Sequence, residues 1–137
     1  MLDGRRVIYL LDDSEAMLSM MAATLAPYGE VRGFTDWSEL ALPVSRAGER
    51  DLLISDLNLD TPEMQGGTFC QLVRRQNGRL RVVVFSASPE EVPAGAAHVV
   101  VPKGPGCLAG LQAAVAALVA EEESWLESLG RRGSSAR

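Results

Sequence analysis

Five residues of this chain have side chains that could do chemistry, and each follows a short apolar run. Asp12 and Asp13 come after VIYLL, Asp56 after LLIS, Ser86 after VVVF, and Lys103 after HVVVP. Two adjacent carboxylates at the end of a buried-looking run are costly. At about 4 Å, like charges repel by roughly 4 kcal/mol at an effective dielectric near 20. Either they point apart into water, or something positive sits between them. If Asp56 joins them, three carboxylates share one pocket, and a hard divalent cation is the natural remedy. Mg²⁺ prefers an octahedron of oxygens and keeps waters while it holds a phosphate. Lys103 would add a second positive contact and Ser86 a hydroxyl. That set suits phosphoryl transfer, in which positioning and charge stabilisation are most of the catalysis. A carboxylate can itself be the nucleophile and form an acyl phosphate. Asp56 stands alone after its run, whereas Asp12 and Asp13 are paired, so Asp56 is the better candidate.

These residues can meet only if the elements before them lie side by side. Arg6–Leu11, Glu30–Phe34, Leu52–Ser55, Arg81–Phe85 and His98–Val101 read as strands, and runs without alternation suit strands covered on both faces. Helices are expected over Ser14–Ala26 (capped by Asp13 or Ser14), Asp36–Ala47 (capped by Thr35 or Asp36), Gly67–Gln76 and Pro105–Leu129. Asn77-Gly78 reads as a helix stop. Strand–helix alternation of this kind predicts an α/β fold with a parallel sheet. Ligands of such sheets bind beyond the carboxyl ends of the strands. The five residues collect at that edge.

The bulk properties narrow the class. The chain has 137 residues, enough for one domain with a real core. A net charge of −5 argues against a nucleic-acid footprint, which needs a basic patch. Cys70 and Cys107 match no metal spacing and no disulfide framework, so both read as reduced thiols of a cytoplasmic protein. Val7–Leu11 is too short for a secretory h-region. Leu108–Ala120, interrupted by Gly110 and Gln112, falls short of the ~20 residues a membrane span needs.

The stretches YLLDD, LLISDLN, VVVFSAS and VVVPKG resemble the receiver domain of bacterial response regulators, over residues 5 to 121. The resemblance implies a flavodoxin-like, doubly wound, five-stranded parallel sheet in the order 2-1-3-4-5. It implies Mg²⁺ held by Asp13 and Asp56, with Asp12 assisting through water and Asn58 offering its backbone carbonyl. Asp56 would be the phosphoacceptor, Ser86 the switch hydroxyl and Lys103 the phosphate contact. Small Ala87 would leave the pocket open to a donor. The donor would be a phosphohistidine on a sensor histidine kinase or phosphotransfer protein. Activity is expected on the chain itself, gaining and hydrolysing the phosphoryl group at Asp56, with no turnover of an external substrate. Output would pass to a downstream protein, not to nucleic acid or membrane.

The sequence departs from that family at three places. The residue three before the lysine is usually aromatic, and here it is Val100, which has no ring to swing. The segment from Ser86 to Lys103 is shorter than usual and holds Pro93, so the fourth helix is expected to be about one turn or absent. The loop after Asp56 is slightly long and holds Asp60 and Glu63, which read either as solvated charges or as modifiers of metal affinity. An alternative reading follows: a pseudo-receiver, a protein-binding module whose surface is read regardless of phosphorylation. A phosphatase of the haloacid-dehalogenase type is disfavoured, because it needs a second Asp two residues after its nucleophile and room for a cap. His98, the single histidine, lies at a strand start and reads as structural. The domain is expected to span residues 1–129, with a disordered tail at 130–137. Trp125, Leu126 and Leu129 extend the last helix, either packing back on the body or forming a dimer or partner seam. The preceding Glu121–Glu123 run reads as solvated.

Overall fold

Residues 6–59 and 61–135 are described by a computed structural model, with side chains to residue 130. The apolar runs form five strands, β1 (Val7–Leu11), β2 (Glu30–Phe34), β3 (Leu52–Ser55), β4 (Arg81–Ser86) and β5 (Val99–Pro102). All pair in parallel, in the order β2-β1-β3-β4-β5. The flavodoxin-like arrangement implied by the resemblance is therefore present. The four helices are α1 (Glu15–Leu25), α2 (Trp37–Ser45), α3 (Gly66–Gln76) and α4 (Cys107–Ser135). Between β4 and β5 there is only a 3-10 turn, Pro89–Glu91, as the short proline-bearing segment predicts.

Continuous apolar strands arise because both faces are covered, and successive side chains go to opposite sides. Ile8, Leu10, Leu52, Ile54, Val83 and Phe85 face Met21 and Leu25 of α1 and Leu111, Val115 and Leu118 of α4. Tyr9, Leu11, Leu53, Val82 and Val84 face Leu40 and Val44 of α2 and Phe69, Cys70 and Val73 of α3. Each fully buried Leu, Ile or Val contributes about 1.5–3 kcal/mol. Cys70 is fully buried, and that burial pushes its thiol up to about 12, against a smaller lowering from the Ser55 hydroxyl.

Helix starts follow local chemistry. The Ser14 hydroxyl accepts from the Met17 amide and caps α1, and the Asp36 carboxylate accepts from Ser38 N–H and caps α2. Asn77 does more than stop α3. Its buried side-chain amide donates to the carbonyls of Val44 and Ala47, tying the end of α2 to the end of α3.

Two features correct or refine the sequence reading. The glutamate run is not wholly solvated: Glu121 and Glu123 are exposed, but Glu122 is buried at 9%. Its Oε1 accepts from Arg6 at 2.5 Å and Arg50 at 3.2 Å, and its Oε2 from Arg81 at 2.5 Å. A buried carboxylate requires such partners. The cluster pins α4 beneath the opposite end of the sheet from the five chemical residues. Helix α4 also continues to Ser135, so the tail expected at 130–137 is described as helical backbone up to that residue; 136–137 lie outside the described residues. Trp125 and Leu129 remain 57% and 42% exposed, while Leu126 is partly covered. Among the described residues no helix is long and apolar enough to cross a membrane.

Candidate functional site

Backbone hydrogen bonds beyond the strand ends fix the site. Asp12 N–H donates to the Phe34 carbonyl at 3.1 Å and Asp56 N–H to the Leu11 carbonyl at 2.8 Å. Lys103 N–H donates to the Ser86 carbonyl, also at 2.8 Å. The parallel ladder thus continues for one more rung under Asp12, Asp56 and Lys103, and the rigid sheet sets their spacing. Asp12 is 2% exposed, Asp56 is half-buried and Asp13 faces solvent.

Lys103 binds the carboxylates together. Its Nζ lies 2.9 Å from Asp12 Oδ2 and 3.4 Å from Asp56 Oδ2, and 5.3 Å from the centre of the Phe85 ring beneath it. The second oxygen of Asp12 accepts from the Ser14 amide at 2.9 Å, and the second of Asp56 from the Asn58 amide at 3.4 Å. Burial raises the Asp56 pKa; the Lys103 charge opposes this and the Asp12 charge adds to it. Burial alone would depress Lys103, but its hydrogen bond to Asp12 and the charges of Asp56 and Asp12 outweigh that, so it is held above its ordinary value.

Oxygens of Asp12, Asp13 and Asp56 all lie within 4.8 Å of one another. Three carboxylates against one ammonium leave two negative charges in excess. Hard oxygen donors with that excess fit a divalent cation of the magnesium type. Asn58 is exposed and adjacent, with its amide turned to Asp56. The Ser86 hydroxyl, fully buried, accepts from the Ser88 amide at 2.9 Å. Glu63 is exposed, and Asp60 lies outside the described residues. His98 is away from this edge: its Nδ1 accepts from the Val82 amide at 3.0 Å while its own amide donates to the Val82 carbonyl at 2.8 Å, the structural role its strand-start position suggests.

Two supporting residues were not read from the sequence. A Cβ on Gly66 would lie 1.8 Å from the Asp56 carbonyl oxygen, so only glycine lets α3 start against the residue that bears the carboxylate. The GG pair before an amphipathic helix was the available signal. Gln65 staples the loop between: its Oε1 accepts from the Leu59 amide at 2.9 Å and its Nε2 donates to the Thr61 carbonyl at 3.1 Å.

Searches of protein-family models and of curated protein sequences match nothing to this chain. Solved structures do match. The signal receiver domain of an HD domain-containing protein from Pseudomonas fluorescens Pf-5 superposes with a TM-score of 0.73 at 22% identity, covering 93% of this chain and 96% of its own. A response regulator receiver domain protein from Clostridium thermocellum gives 0.71 at 15% identity, over 88% and 98%. Chemotaxis response regulator CheY4 of Vibrio cholerae gives 0.65 at 26% identity, over 81% and 98%. With its 2-1-3-4-5 parallel sheet and an acidic cluster at the strand ends, the chain has the receiver-domain fold of response regulators.

Proposed function

We propose that this domain accepts a phosphoryl group on Asp56 in a magnesium-dependent reaction and passes the signal on by protein–protein contact. The observation that carries this reading is the Lys103 ammonium set between Asp12 and Asp56, inside a group of three carboxylates that still has two negative charges in excess. Asp12, Asp13 and Asp56, with the Asn58 carbonyl, would hold Mg²⁺, which when bound supplies charge neutralisation for the phosphoryl oxygens. An oxygen of Asp56 attacks phosphorus on a phosphohistidine of a kinase or phosphotransfer protein. The P–N bond breaks, the P–O bond forms, and the freed imidazole nitrogen takes a proton. Lys103 leaves its contact with Asp56 to pair with a phosphoryl oxygen, and Ser86 donates its hydroxyl to another. Water later hydrolyses the acyl phosphate, releasing phosphate and returning Asp56 to its carboxylate. A cytoplasmic setting goes with such a donor, and exposed Trp125 and Leu129 are candidates for a partner or dimer seam.

The test is phosphorylation in Mg²⁺ of the wild type and of Asp56→Ala with a small-molecule phosphodonor. Label on the wild type alone supports the acceptor role; label on both proteins refutes it. One observation favours a second reading, a phosphorylation-independent binding module. Val100, where receivers carry an aromatic switch, is 39% exposed and has no ring to bury. Unchanged amide spectra with beryllofluoride at millimolar Mg²⁺ would select that reading.

A further inference from the structure

The Ser86 hydroxyl has a partner that leads away from β5. It accepts from the Ser88 amide, and Ser88 opens the 3-10 turn that replaces a fourth helix. That linker is gripped by α3. Gln71 Nε2 donates to the Ala94 carbonyl at 2.9 Å and Arg74 Nη1 to the Gly95 carbonyl at 3.1 Å. Pro93 presses on Gly67, where a Cβ would come within 2.8 Å of the proline ring. Helix α3 in turn begins against the Asp56 backbone at Gly66. Asp56 and Ser86 therefore both reach the same pair of elements, α3 and the linker, through direct contacts. Val100 offers no comparable route through β5.

Resting on the phosphoacceptor reading above, we propose that phosphorylation is read out at the α3–linker groove, and that this groove takes an acidic segment of a partner protein. When the Ser86 hydroxyl turns toward a phosphoryl oxygen on Asp56, it gives up the Ser88 amide. The linker then shifts against Gln71 and Arg74. The groove between them is a cavity of about 310 Å³ lined by Gln71, Arg74, Arg75, Ala94 and Gly95. Its lining carries two guanidiniums and no carboxylate, on a chain whose net charge is −5. Arg75 is exposed and makes no ion pair among the described residues. A local positive site on an acidic body selects a carboxylate-rich ligand over a second copy of itself.

Two measurements on the full chain test this. In ¹H–¹⁵N spectra, Mg²⁺ with beryllofluoride is expected to shift the amides around Asp56 and Lys103, and also those of Ser88–Ala97 and Gln71–Arg75, more than those of Val99–Val101. Shifts confined to Asp56 and Lys103 would overturn the α3–linker route and leave the phosphoacceptor reading intact; no shift anywhere would overturn both. A fluorescein-labelled hexaglutamate peptide, followed by anisotropy, should bind at least about fivefold more tightly to the activated protein. Arg75→Glu should abolish that binding while keeping the beryllofluoride shifts at Asp56, which certify its fold. Equal binding before and after activation, binding unaffected by Arg75→Glu, or a self-association in sedimentation that Arg75→Glu dissolves, would each overturn the acidic-partner assignment.

Discussion

Replacing Glu122 by alanine should be among the most damaging single changes in this domain, although it lies in a run of glutamates near the end of the chain. The Glu122 side chain is 8% exposed and takes hydrogen bonds from three arginines. Arg81 and Arg50, at 18% and 36%, can turn to solvent when the carboxylate goes. Arg6, at 6%, cannot: it keeps the carbonyls of Arg50 and Tyr28 but loses its one counter-charge among the described residues. Breaking a buried pair from one side costs about 3–5 kcal/mol. For a domain of this size that corresponds to a fall in Tm of about 10–20 °C. Urea unfolding monitored by the tryptophans measures it, with Glu123→Ala, at an exposed neighbour, expected within about 0.5 kcal/mol of the wild type. The double variant Arg6→Met with Glu122→Leu removes both buried charges and should recover much of the loss, because apolar replacement of a buried pair is often neutral. A loss under about 1 kcal/mol for Glu122→Ala, or a double variant as unstable as the sum of its singles, would refute the claim that an uncompensated buried guanidinium sets the cost.

Three further changes probe other contacts. Gly66→Ala forces a methyl into the Asp56 carbonyl and should destabilise by about 3 kcal/mol or more, whereas Gly78→Ala, with open space around it, should be within about 0.5 kcal/mol of the wild type; both are read from urea midpoints. Asn77→Ala removes the side-chain donor shared by the Val44 and Ala47 carbonyls; Val44 keeps the Ala47 amide but Ala47 loses its partner, so the change should cost about 1–2 kcal/mol in the same assay. Partial burial, then the charges of Arg74 and Arg81, lower the pKa of His98, whose Nδ1 must be unprotonated to accept from Val82. The unfolded chain therefore binds its proton first, and wild-type stability should fall as pH drops from about 6.5 through the lowered folded value. His98→Asn, which keeps an acceptor and cannot titrate, should lose less over that window in thermal melts; parallel curves for the two proteins would contradict this.

The sequence announced the sheet through its unbroken apolar runs, because a strand buried on both faces has no polar side to interrupt it. It announced the chemical edge for a related reason: aspartates, a serine and a lysine directly after such runs have one place to go. The starts of α1 and α2 were readable within a residue, since Ser14 and Asp36 act locally. What the sequence hid depends on distance along the chain. Glu122 looked like its solvated neighbours because its partners stand at positions 6, 50 and 81. Gly66 looked like a loosener of the loop, and its need appears only when Asp56 is folded against it. The Ser86–Ser88 bond is short-range, but its meaning depends on what α3 does to the linker.

The fate of the two thiols gives the protein a built-in handle. Cys70 is sealed between the sheet and α3, and its thiol stays protonated far above neutral pH. Cys107, at the first turn of α4, is partly open. A maleimide dye added to the native chain should therefore label one position, four residues past Lys103, and a second only after denaturant is added. That would give a reporter near the acidic edge in sequence without any engineered residue.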